Sequence, residues 1–185
     1  KRYISLGLMS GTSGDGVDAS VINSNGNDDY ESIKDKCFEY DSKIYKDIHK
    51  LKDKINSYKD LINYTSEISN LERVITLFHA KIIKDLKMED EDYLIGFHGQ
   101  TIYHNAEEKI SVQLGDAKLL HQLIKKKIIY NLLNIMLVFT VPSIFESRAS
   151  ILNSPRSTEF LPTLANLTSL LPKPFNSGPT HKETS

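Results

Sequence analysis

Apolar and polar side chains alternate in two short runs near the start of the chain. The apolar members of these runs are Ile4, Leu6 and Leu8, followed by Val17, Ala19 and Val21. A period of two residues is typical of a strand with one buried face. Residues 10–16 between the runs are small, hydroxylated or acidic. The pattern therefore predicts two paired strands joined by a polar turn.

Further along, apolar residues recur at the three- and four-residue steps of a helix. They do so over 44–55, where Asp41 or Ser42 can cap the first turn, and again over 61–82. A third helix is expected over 116–123. Short apolar runs predict four more strands, at 36–40, 93–97, 110–114 and 128–130. Strands mixed with helices in this way indicate the α/β fold class.

The composition changes near Asn131. Of residues 1–131, 40 are charged, whereas only 7 of residues 132–185 are, and all six prolines lie in that later part. Periodicity also fails beyond Phe145, where Ser, Thr and Pro are scattered. We therefore expect one domain over 1–131 and a divergent, largely irregular segment over 132–185.

Charge and cysteine content limit the partners. Lys and Arg number 23 against 24 acidic residues, a net charge of −1, so no broad field attracts nucleic acid or an anionic membrane. The apolar run over 128–141 is shorter than the roughly 18 residues of a spanning helix. Cys37 is the single cysteine, and it is expected to be a buried strand residue. With no secretory leader pattern at the N-terminus, these features favour the cytoplasm.

The turn after the first strand has the chemistry of an anion site. Gly11, Gly14 and Gly16 allow the backbone to approach a ligand closely, so that successive N–H groups can face a phosphate. Thr12 and Ser13 add hydroxyl donors. Asp15 is expected to hold a magnesium ion, through water.

The turn has three other interpretations. A glycine-rich hairpin with no ligand fits the local pattern equally well. Gly14, Gly16 and Ala19 also match a dinucleotide-binding fingerprint, but that fingerprint needs a helix after the glycines, where this chain predicts a strand. A P-loop is excluded because no lysine follows the final glycine.

A second polar motif, GFHGQT at 96–101, follows the strand predicted at 93–97. We expect it to be a loop at the end of that strand, where α/β sheets place ligands. His98, Gln100 and Thr101 offer donors and acceptors suited to a sugar, and Gly99 admits a close backbone approach. A structural histidine bonded to the loop backbone is the alternative for His98.

The remaining polar positions have simpler expected roles. Asp116 is expected to cap the next helix rather than to line the ligand cleft. His49, His79 and His181 are expected to be surface or packing residues. The histidines at 98, 104 and 121 lack the spacing and the cysteine partners of a zinc site.

Three segments together resemble the 1,6-anhydro-N-acetylmuramic acid kinase family, over about residues 3–130. They are GLMSGTSGDGVDASVI at 7–22, IGFHGQTIYH at 95–104 and VQLGDAKLLHQL at 112–123, in family order. The resemblance implies the first domain of an actin-like, sugar-kinase ATPase fold, a ribonuclease H-like mixed sheet flanked by helices. It also implies a reaction in which water opens an anhydro amino sugar while ATP phosphorylates it, as part of peptidoglycan recycling.

The resemblance assigns residues to ligands. The segment expected to bind ATP phosphates and magnesium comprises Gly11, Thr12, Ser13, Gly14, Asp15, Gly16, Val17 and Asp18. The segment expected near the sugar comprises His98, Gly99, Gln100 and Thr101. ATP, Mg²⁺ and the amino sugar are thus the expected small-molecule partners.

The chain also departs from the family pattern. Gly14 stands where family members usually carry leucine, and members are roughly twice as long. Their later glycine-rich motifs and the aspartate that acts as general base have no counterpart here, since no aspartate follows Asp116. We therefore expect no catalytic residue in this chain and negligible turnover by a truncated form. The alternatives are a non-catalytic binding module, or half of a split kinase completed by a separately encoded domain. Homodimerisation is a further option, because family members are often dimers.

Overall fold

The computed structural model describes residues 1–88, 92–108 and 110–130, and these contain six strands and four helices. In chain order the elements are β1 (Tyr3–Ser10), β2 (Gly16–Ser24), β3 (Tyr30–Glu39), α1 (Ser42–Lys52), α2 (Asp60–Asn63), α3 (Thr65–Asp85), β4 (Leu94–Asn105), β5 (Ile110–Leu114), α4 (Ala117–Ile124) and β6 (Lys127–Tyr130). The predicted α/β class is confirmed. The expected irregular segment at 132–185 lies outside the described residues.

The strands form one mixed sheet in the order β3-β2-β1-β4-β5. β1, β2 and β3 are antiparallel neighbours, which confirms the predicted hairpin and extends it to a meander. β4 runs parallel to β1 along its first half and antiparallel to β5 along its second half. β6 pairs in parallel with the first half of β4, so β5 and β6 follow one another along the same edge of that strand.

Local sequence explains where two of the helices begin. The Asp41 carboxylate caps α1 by accepting hydrogen bonds from the N–H groups of Lys43 and Ile44, at 2.9 and 2.8 Å. The Asp116 carboxylate caps α4 in the same way, accepting from Leu119 N at 2.9 Å. Both capping predictions are therefore confirmed.

The apolar stripe predicted over 61–82 belongs to two helices rather than one. The chain leaves helical geometry at Tyr64, which separates the four-residue α2 from α3. α3 then packs between α1 and α4, and each of these three helices also contacts the sheet. Ile48 of α1, Ile75 of α3 and Leu120 of α4 are fully buried at these contacts. The core thus lies between the helices and the central strands.

Three sequence predictions are corrected by the fold. Cys37 is exposed, because it lies on the edge strand β3, most of whose side chains face solvent. The strand predicted at 36–40 begins earlier, at Tyr30. The motif at 96–101 is not a loop at a strand end, because β4 continues through it to Asn105. In the described part of the chain, no helix is both long enough and apolar enough to span a bilayer.

β4 stays a strand through the motif because a bulge absorbs one residue. Leu8 pairs with Phe97 and Ser10 pairs with Gln100, so β4 uses one residue more than β1 over this interval. Gly99 takes a φ of +73° within the bulge. A Cβ at Gly99 would lie 2.5 Å from the Leu114 carbonyl oxygen on β5. Glycine is therefore required here by sheet pairing as well as by backbone conformation.

Candidate functional site

The polar turn joins the ends of β1 and β2 at residues 11–15. Gly14 has a φ of +70°, in the left-handed region that favours glycine. The Ser13 hydroxyl donates to the Asp15 carboxylate at 2.7 Å, and Tyr40 N donates to the Asp15 carbonyl oxygen at 2.9 Å. These bonds fix the Asp15 backbone against the end of β3 and hold its side chain beside the turn.

Two other elements bond to the turn. The Gln100 side chain of β4 donates through Nε2 to the Gly11 carbonyl oxygen at 2.6 Å. The Lys52 ammonium, in the last turn of α1, donates to the Thr12 carbonyl oxygen. Ile48 of α1 lies beneath the turn, since a Cβ at Gly14 would come within 2.9 Å of its Cγ2. The turn is therefore supported from both the sheet and a helix.

A buried hydrogen-bond chain lies directly behind the turn. The Tyr40 hydroxyl donates to Ser10 Oγ at 3.2 Å, and Ser10 Oγ lies 3.2 Å from His79 Nε2. His79 Nδ1 is 2.8 Å from the Ile75 carbonyl oxygen, which can only accept. Nδ1 therefore carries the proton of the neutral ring, and Ser10 donates to Nε2. The chain runs in one direction, from Tyr40 through Ser10 to His79.

Burial shifts the pKa values of this chain. It lowers the pKa of His79 to about 4, against the opposing effect of the bond to Ile75, and the neighbouring His98 lowers it further. It also raises the pKa of Tyr40 to about 12, where the bond to Ser10 acts in the opposite direction and the Asp15 charge in the same direction. Both side chains are thus neutral at physiological pH.

The motif at 96–101 lies against the end of β1 and the turn at 11–15. Ser10 at the end of β1 pairs with Gln100, and Gln100 is fully buried. His98 is half-buried, with Nδ1 donating to the Gly99 carbonyl oxygen at 2.8 Å. Burial lowers the pKa of His98, while hydrogen bonds to the Gly99 and Ser10 backbone oppose that shift. Thr101 is buried and pairs with Gln113 on β5.

The part of the chain that contains the turn at 11–15 and the motif at 96–101 matches proteins of a known family. A family model of anhydro-N-acetylmuramic acid kinases matches residues 1–132. The chain belongs to the anhydro-N-acetylmuramic acid kinase family. The predicted resemblance and the sugar-kinase fold that it implied are thereby confirmed for this part of the chain.

Two members of the family show what share of a relative's length this chain covers. The anhydro-N-acetylmuramic acid kinase of Pelagibacter ubique is 59% identical over 134 residues, which are 71% of this chain and 36% of that protein. The Agrobacterium fabrum protein of the same description is 31% identical over 133 residues, or 69% of this chain and 35% of its own length. The chain thus spans about a third of the length of these curated relatives.

Gly16, Val17 and Asp18 follow the turn and have different surroundings from it. The Val17 side chain is fully buried in the core. Gly16 lies against β3, where a Cβ would approach the Phe38 carbonyl oxygen to 2.5 Å. Asp18 pairs with Met9 on β1 and with Cys37 on β3. Because β2 begins at Gly16 as a strand, the dinucleotide-binding alternative is wrong.

Gly14 lies where the turn meets α1. Its left-handed φ and its contact with Ile48 both favour a residue without a side chain. His49 Nε2 also lies 3.6 Å from where a Cβ would stand, and it has no hydrogen-bond partner among the described residues. The local packing of α1 therefore accounts for glycine here.

Asp15 lines a small cavity. The cavity has a volume of about 260 Å³, and Glu39, Tyr40 and Tyr45 line it with Asp15. Within the described ranges, no three His, Cys, Asp or Glu side chains converge as metal ligands. A carboxylate of this kind suits Mg²⁺ that keeps most of its water and takes its other ligands from phosphates.

Four residues of this site were not predicted from the sequence: Ser10, Tyr40, Lys52 and His79. One signal for His79 was available: it lies four residues after Ile75 and three before Ile82, on the apolar face of α3. A polar residue at such a position needs a buried partner. No comparable local signal marks Lys52, because its contact spans 40 residues.

Proposed function

We propose that the described domain forms the phosphate-binding lobe of an ATP-dependent anhydro-N-acetylmuramic acid kinase. The family membership and the kinase activity for which the relatives are named support this proposal. In this function the turn at 11–15 binds the nucleotide phosphates. The motif at 98–101 contacts the amino sugar that accepts the phosphoryl group, through His98, its one member that is not buried.

One observation carries the proposal: the two motifs, far apart in sequence, are joined directly. Gln100 of the second motif donates to Gly11 of the first at 2.6 Å, across 89 residues. Phosphoryl transfer requires the phosphate donor and the acceptor hydroxyl to be held in line and close together. A phosphate turn bonded to a sugar-binding segment meets that requirement.

Asp15 and the turn would hold Mg·ATP. Mg²⁺ bridges phosphate oxygens and neutralises the charge that develops during transfer. The Asp15 carboxylate would hold the ion through water, with its orientation set by Ser13 at 2.7 Å. The N–H groups of the turn would contact the phosphate oxygens directly.

A titration of the full 185-residue chain with Mg·ATP tests this function. Binding does not depend on turnover, so the measurement addresses the turn in this chain itself. Asp15→Asn should weaken Mg·ATP binding about tenfold, as is typical of the loss of a metal-orienting group. The difference in affinity between Asp15→Asn and wild type should disappear when ATP is titrated without divalent cation.

A matched control removes one exposed carboxylate far from the turn. Asp28 lies between β2 and β3, at the other end of the hairpin. Asp28→Asn should leave the affinity unchanged. Equal affinities of wild type and Asp15→Asn for Mg·ATP would show that the phosphate assignment of the turn is wrong.

A further inference from the structure

Two successive peptide carbonyls of the turn accept hydrogen bonds from side chains of other elements. The Gly11 carbonyl accepts from the Gln100 side chain at 2.6 Å. The next carbonyl, that of Thr12, accepts from the Lys52 ammonium. These donors come from different elements, β4 and α1.

The orientation of a carbonyl fixes the orientation of the N–H group in the same peptide. In a trans peptide the C=O and the following N–H point in opposite directions, and no cis peptide occurs in the described residues. The Thr12 N–H therefore points away from Gln100, and the Ser13 N–H points away from Lys52. Two consecutive N–H groups thus point away from the side chains that hold the turn, and consecutive backbone donors of this kind can bind an anion.

One of the two groups that hold the carbonyls is buried, and the other extends from a packed helix. Gln100 is fully buried, and its Nε2 also donates to the Thr101 carbonyl oxygen at 3.0 Å. Lys52 ends a helix that Asp41 caps at its start. Ile48, one turn before Lys52, is fully buried beneath Gly14. Gln100 therefore cannot move without disturbing the packing of β4, while the Lys52 side chain extends to the turn from a helix that is itself packed in place.

We propose that Lys52 is a positioning residue for nucleotide phosphate, which holds the Thr12–Ser13 peptide with its N–H outward and places a cation beside the turn. This inference rests on the proposed function. The turn itself contains no lysine, and Lys52 supplies one from α1. A preorganised donor with an adjacent positive charge binds a polyphosphate more tightly than a mobile turn does.

A purely structural role for Lys52 predicts different behaviour. If the Lys52 bond only fastens α1 to the hairpin, Lys52→Met lowers the melting temperature and weakens every ligand alike. If Lys52 positions the turn for phosphate, the loss is confined to ligands that carry phosphates. Lys52→Arg should then restore most of the affinity, because arginine keeps both the donor and the charge.

The experiment compares Mg·ATP, inorganic tripolyphosphate and adenosine as probes of the full chain by titration calorimetry. Lys52→Met should weaken Mg·ATP and tripolyphosphate about tenfold, the usual size of one charge-assisted hydrogen bond. It should leave any adenosine binding unchanged. Lys50→Met is the matched control, since it removes the same charge from an exposed position of the same helix.

Each outcome decides between the two proposals. If wild type binds Mg·ATP and Lys52→Met binds it equally well, the role of Lys52 is refuted while the phosphate site stands. The role is also refuted if Lys50→Met weakens binding as much, or if adenosine binding falls in parallel. If wild type binds neither Mg·ATP nor tripolyphosphate, the proposed function fails and this inference fails with it.

Discussion

Acidification should destabilise the fold through His79. The buried ring has a pKa of about 4 in the folded chain, against an ordinary value of 6.5. A proton on Nε2 would remove the acceptor of the Ser10 hydroxyl, which already accepts from Tyr40. The folded chain therefore resists protonation at a site that the unfolded chain protonates readily.

The sign and the size of this loss of stability follow from proton linkage. The unfolded chain takes up its proton as the pH falls through about 6.5, whereas the folded chain does so only near 4, so stability is full above that window and is lost within it. The complete loss is about 3 kcal/mol, of which about 2 kcal/mol has gone by pH 5. That is a large fraction of the stability of a small domain.

Urea unfolding at a series of pH values measures this loss. Between about pH 7.5 and about pH 5, the free energy of unfolding of wild type should fall more steeply than that of His79→Gln, by about 2 kcal/mol. The His79→Gln variant loses packing at every pH, so only the change with pH is informative. His98, whose pKa is also lowered by burial, adds a slope of the same sign that both proteins share.

The exposed His104 provides the control. His104→Gln should follow the wild-type curve at every pH. Parallel curves for wild type and His79→Gln would refute the reasoning, because they would mean that His79 takes up its proton equally well in the folded and unfolded chains.

Two glycine substitutions should separate backbone requirements from mere sequence preference. Gly99→Ala should cost about 3 kcal/mol, because it adds left-handed strain and drives a Cβ to 2.5 Å from the Leu114 carbonyl oxygen. Gly14→Ala should cost about 2 kcal/mol, since its Cβ meets a side-chain methyl of Ile48 rather than backbone. Thermal or urea unfolding measures both, with Gly11→Ala as the tolerated control, because the nearest atom to its Cβ is 4.0 Å away. A cost for Gly11→Ala equal to that of Gly14→Ala would contradict the argument.

The parts of the fold that sequence predicted are those governed by short-range rules. The period-two runs placed β1 and β2, and the small residues between them placed the turn. Asp41 and Asp116 were identified as caps because an N-cap needs only a side-chain oxygen next to the first turn. In each case, the residues that decide the structure are neighbours in the chain.

The errors have the opposite origin. Gly99 resembles a strand terminator locally, but pairing with β1 and β5 on either side carries β4 through it as a bulge. Cys37 resembles a buried strand residue, but its strand is at the sheet edge. Lys52 and His79 reach the turn region across 40 and 69 residues. Such contacts arise only when helices pack on the sheet.

The long-range contacts, which local sequence rules do not predict, matter for how the turn binds a ligand. A glycine-rich segment alone has many conformations, and ordering its backbone costs about 1–2 kcal/mol per residue at 25 °C. In this chain, Gln100, Lys52 and the Ser10–His79 pair restrict the turn and its base before any ligand arrives. Part of the ordering cost is therefore met during folding rather than during binding. The same five residues, 11–15, placed in another hairpin without α1, α3 and β4 behind them, should bind phosphate less tightly.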